Sequence, residues 1–151
     1  MTIRLSTGLR TNLAGTTGFG ATFANGVIEV YSGAQPATAD AAVTGTLLGT
    51  VTLNSAAFTP GTATNGLTFA AAAAGAVAKS GVWSFAGVAA GTAGWFRLKA
   101  NAVDAGAISA VLPRLDGSIA VSGADLNLSN VTIAVGAPTT VDSFTWTQPA
   151  Q

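Results

Sequence analysis

From Gly26 onward, apolar and polar positions alternate with a period of two, the pattern of strands that bury one face and present the other. Residues 27–32 place Ile28 and Val30 on one face and Val27, Glu29 and Tyr31 on the other. In 47–53, Leu47, Gly49, Val51 and Leu53 alternate with Leu48, Thr50 and Thr52. Leu67 and Phe69 flank Thr68, Trp83 and Phe85 alternate with Val82 and Ser84, and Trp95, Arg97 and Lys99 alternate with Phe96, Leu98 and Ala100. Ile119 with Val121, then Val131, Ile133 and Val135, then Phe144 and Trp146 bring the number of short strands to about eight. The turn pairs Asn25-Gly26 and Asn65-Gly66, and Pro36, Pro60, Pro113, Pro138 and Pro149, fall between or after these runs. The alanine run 70–74 is too short to nucleate a helix and reads as a strand end entering a loop. The pattern predicts an all-β chain, an antiparallel β-sandwich or jelly roll, and not alternating α/β.

Residues 1–25 differ. Leu5, Leu9 and Leu13 recur at helical spacing, with a stop at Asn12 to Gly15 and a glycine-rich stretch from Gly15 to Gly20. The prediction is a short N-terminal helix or arm over 1–25 followed by a β-sandwich domain over 26–151. The segment is either a lid on the domain's own core or an arm, and the arm is favoured: the glycine-rich stretch then lets Arg4, Leu5, Leu9, Arg10 and Leu13 reach a neighbouring subunit.

Composition sharpens this. The chain has 151 residues, a length at which a single domain buries about 70% of its unfolded surface. Of its 49% hydrophobic residues, 32 are alanine. Charged residues are only 8%, six basic against six acidic, so a basic nucleic-acid footprint is not predicted. Such weak mutual repulsion suits a component of an assembly better than a free monomer. No stretch is long and apolar enough for a membrane-spanning helix, and the segment from Met1 to Ser6 lacks the basic and apolar regions of a secretory signal, so the mature chain is expected to start near Met1.

With no His and no Cys, imidazole bases, thiolate nucleophiles, tetrahedral zinc sites and disulfides are excluded. The carboxylates Glu29, Asp40, Asp104, Asp116, Asp125 and Asp142 show no spacing of a glycosidase pair, and Asp40, Asp104, Asp116 and Asp125 stand in turn-like sequence. Asp125 to Asn130 imitates the first half of a calcium loop but lacks its glycine and its closing glutamate, so a turn is expected and no metal is assigned. The glycine clusters match no nucleotide-binding pattern, and no cofactor is expected. Trp95, Arg97 and Lys99 share one strand face and are read as an exposed sheet surface, solvated or facing a subunit, with sugar or base stacking as the rival.

The run from Gly26 through Tyr31 and Gln35-Pro36 to Asp40, continuing at 46–51, with 58–67, 91–98 and 112–118, resembles a family of small virion structural proteins of tailed bacteriophages. The resemblance spans nearly the whole chain and brings no functional residues with it. It implies a place in the particle without saying which; because head decoration proteins are commonly compact β folds of about this size, the expectation is a non-enzymatic capsid decoration (cement) protein made in the host cytoplasm and carried on the phage head. Its expected partners are the major capsid protein and itself, as a trimer, without nucleic acid or membrane. The alternative is a tail, neck or fibre component, with Trp95 or Trp83 contacting host carbohydrate.

Overall fold

The computed structural model describes residues 3–148; Pro149 and the outermost residues of both predicted segments lie outside that range. Eleven strands and two helices follow the order β1 (Arg4–Leu5), α1 (Thr7–Ala14), α2 (Phe19–Thr22), β2 (Val27–Ser32), β3 (Leu47–Leu53), β4 (Thr68–Phe69), β5 (Ala76–Ser80), β6 (Trp83–Ala86), β7 (Gly91–Lys99), β8 (Arg114–Ala120), β9 (Leu126–Leu128), β10 (Thr132–Ile133) and β11 (Pro138–Thr147). Asn25 and Asn65 both adopt positive φ ahead of their glycines, as the turn signal requires. The alanine run ends β4 and enters a loop, as expected.

The chain is all-β, but the sandwich or jelly roll is replaced by a closed ring. Strands β7, β2, β3, β6, β11, β9 and β8 pair in sequence and β8 returns to β7, making a seven-strand barrel whose one parallel pairing is β8 with β9. Closure satisfies edges that two open sheets would leave unpaired. It is made possible by β11, which pairs with β6 at Pro138 to Thr140, with β9 at Val141 to Phe144 and with β5 at Thr145 to Thr147, bending at a bulge beside Asp142. Further bulges fall at Val30/Tyr31 and Tyr31/Ser32. The first shifts the β3 pattern, so Leu48 turns into the core. Val121 and Val135 fall outside the strands and are exposed.

The barrel interior is packed with side chains. Ile28, Val30, Val51, Phe85, Phe96, Leu98, Leu115 and Leu128 project inward at alternate positions. Two glycines make room for rings: a Cβ at Gly49 would come within 2.1 Å of Phe85, and one at Gly117 within 2.7 Å of Phe96.

The arm reading of the N-terminal segment is corrected here. The helix exists, but Leu9, Phe19 and Phe23 are buried in the same core, and Phe19 stacks on Trp146 at 5.0 Å between centroids. An apolar stripe with an intramolecular partner has no reason to swing outward. Leu5 and Leu13 are half-buried against that core, so of the five proposed contact residues only the Arg10 side chain is freely exposed.

Candidate functional site

The outer faces of β2, β7, β8 and β1 carry the residues that alternate with the core positions, and antiparallel register lines them up in rows. One row runs Glu29, Arg97, Asp116, Arg4, with alternating sign; the next runs Val27, Lys99, Arg114, and the third Tyr31, Trp95, Ser118. Arg97 grips Asp116 bidentately through Nε and Nη2 at 2.7 and 2.8 Å, and both side chains are fully buried. Arg114 holds Asp104 in the same way at 2.7 and 2.6 Å. Lys99 donates to Glu29 at 2.8 Å and to the Asp104 carbonyl, while Tyr31 donates to the other Glu29 oxygen at 2.6 Å. Trp95 stacks on Tyr31 at 4.7 Å, and the Arg97 guanidinium lies 5.6 Å from the Trp95 ring centroid.

Two loops roof this layer. Loop 33–46 offers the Ala41 carbonyl to Arg97 Nη1 and the Pro36 carbonyl to Arg4. Loop 100–113 brings Asp104. The loops tie to each other through Val43 N to Gly106 O and Ser109 N to Asp40 O. Asp40 in turn accepts the amide and hydroxyl of Thr7 at the start of α1. Eight of the twelve charged side chains, Arg4, Glu29, Asp40, Arg97, Lys99, Asp104, Arg114 and Asp116, belong to this layer and its roof.

Burial opposes the charged form of Asp104, but hydrogen bonds from Arg114 and the Gly106 amide, with the Lys99 and Arg114 charges, outweigh it and hold the carboxyl below its usual range. At Asp40 burial is likewise outweighed by the Thr7 hydroxyl and amide, then by Arg10 and Arg114. Burial pushes Asp116 upward, and Arg97, Arg114 and Arg4 only partly reverse it. Burial, then the Glu29 hydrogen bond, pushes the Tyr31 hydroxyl well above its ordinary value.

Trp95, Arg97 and Lys99 therefore do share a face, as predicted, but they are 0%, 0% and 5% exposed, so the reading of an exposed contact surface is corrected. The roof covers them, and no strand pattern announces a roof made of loops. Asp104 does close a turn on the Gly106 amide, as expected, but Asp116 stands in β8 and not in a turn, and the turn reading missed the arginine partner of each. A signal was present: Glu29, Arg97, Lys99, Arg114 and Asp116 all occupy non-core parity on three predicted or observed strands. Around Asp125, the carboxylate accepts the Ser118 amide and hydroxyl, Asn127 accepts from Ala124 N and Asn130 from Thr132 N, so these oxygens close the chain's own turns.

The outside of the roof is apolar. Val103, Ile108 and Val111 are 79%, 81% and 80% exposed on loop 100–113. Beside the roof a cleft of about 340 Å³ opens over Glu29, Thr50 and Lys99, walled by loop 54–66. Among the described residues no cluster of acidic side chains is grouped to hold a metal ion, and no helix is long and apolar enough to cross a membrane. Comparison with protein-family models, with curated proteins and with solved structures finds no match to this chain.

Proposed function

We propose that this chain is a non-enzymatic structural protein of a tailed-phage particle, a decoration protein that seats on neighbouring major capsid subunits as a trimer on the head surface. The observation that supports this reading is the inversion of charge. Six of the twelve charged side chains neutralise one another in pairs beneath a roof, while the roof turns Val103, Ile108 and Val111 to the outside. A partner then meets neutral, apolar surface and incurs little charge desolvation. The layer's carboxylates are engaged by cations or donors, which suits scaffolding and not acid-base chemistry. Its cations are likewise engaged, which argues against a nucleic-acid surface.

Quantitative gel analysis of purified particles tests the proposal. Decoration predicts a copy number on the order of hundreds, while a small ring number would assign the chain to a neck or tail part. Absence from the particle would overturn the reading.

A further inference from the structure

The cleft beside the ionic layer has the make-up of a binding site. Its floor is the outer face of β2 and β3 with Lys99; one wall is Ala56, Phe58 and Pro60, and the other is Ala100 and Ala102. Asn101 ties the two walls together, accepting from the Gly61 amide at 2.9 Å and donating to the Thr62 carbonyl at 2.6 Å. The cleft is thus braced before any ligand arrives. At about 340 Å³ it lies at the small end of ligand sites, which run from about 300 to 1,000 Å³, and holds one or two rings.

The hydrogen-bonding capacity left on the floor defines the ligand. Glu29 accepts one bond from Lys99 and one from Tyr31, so its carboxylate keeps accepting capacity; Lys99 uses two of its three donors. Thr50 adds a hydroxyl. The Glu29 and Lys99 charges cancel, and the third charged group at the rim, Asp104, is neutralised by Arg114. An anion would meet one lysine already paired with a carboxylate, and a metal ion would meet one carboxylate with a lysine against it. What matches is a neutral molecule with clustered hydroxyls on one side and a C–H face on the other, to lie against Phe58 and Pro60. We propose that this cleft binds a neutral sugar ring. This goes beyond the particle assignment and does not depend on it.

Amide NMR of the 15N-labelled chain tests it, using the methyl glycosides of glucose, galactose and N-acetylglucosamine and, as a contrast, adenosine. The expected result is saturable shifts with at least one glycoside, confined to amides of 27–31, 50–60 and 99–104. Phe58→Ala and Thr50→Val, which leave the ionic layer intact, should weaken binding at least tenfold while the rest of the spectrum stays unchanged. No saturable shift with any glycoside, shifts elsewhere, preference for adenosine, or undiminished binding by both variants would overturn the proposal. None of these outcomes bears on copy number in particles, so the two readings fail separately.

Discussion

Arg97 and Asp116 sit on neighbouring strands with no exposed side-chain surface; removing both from water costs several kcal/mol per ion, which their attraction offsets only where the pair is geometrically well made. Here it is bidentate, with the third guanidinium nitrogen on the Ala41 carbonyl. Removing one partner strands the other. Asp116→Leu or Arg97→Met alone is expected to cost about 3–5 kcal/mol in urea denaturation, and the two together clearly less than the sum of these single changes. Additive costs would show that the two do not act as a unit. Asp104 carries a pH signature. Its folded-state pKa is lowered from 3.8, so its stabilisation is complete above about pH 4 and is lost as pH falls through the folded value. The stability gap between the native chain and Asp104→Asn should therefore be constant from neutral pH down to about pH 5 and narrow below pH 4. Asp116 titrates in the opposite sense but is common to both chains, so it drops out of the comparison. A gap independent of pH would mean that Asp104 is not held ionised by Arg114.

At the scale of elements, α1 matters through how it is seated. Ser6 caps it by accepting the Leu9 amide at 3.1 Å, and the same hydroxyl donates to the Leu112 carbonyl and accepts the Arg114 amide at 2.8 Å. One side chain thus joins helix, β8 and roof. Leu9→Ala should destabilise by about 2–5 kcal/mol, as for any fully buried leucine. Gly8 gives the sharper test. Replacing an exposed helical glycine with alanine stabilises by about 1 kcal/mol, but here the new Cβ would lie 2.3 Å from the Val111 carbonyl oxygen. Gly8→Ala should therefore lower the melting temperature, and an unchanged or raised value would show that the helix does not rest on residues 111–112.

For the whole molecule, the consequence of an internal charge layer is a surface with little field. Among the described residues outside that layer, the charged side chains are Arg10, Lys79, Asp125 and Asp142. The self-association proposed above, measured by sedimentation, should then hardly change from low to high salt, because screening acts on exposed charges. Ile108→Asp with Val103→Asp, which place charge on the roof, should weaken it. Strong salt dependence with no effect of those substitutions would mean that contact is made elsewhere and by charge.

The alternation of side chains settled the strand character, the inward identity of residues such as Ile28, Val30, Phe96 and Leu98, and the shared face of Trp95, Arg97 and Lys99, because the strand period is local and covalent. Composition alone excluded imidazole and thiolate chemistry, since residue types need no fold to be counted. Closure into a barrel rests on β11 pairing with three different strands, and burial of the charged face rests on loops 33–46 and 100–113 meeting across it. The same holds for Phe19, whose partners Phe69, Phe144 and Trp146 are distant in sequence. These outcomes depend on contacts between segments far apart along the chain, whose local patterns are equally compatible with an exposed face or a covered one. Only tertiary packing decides between them.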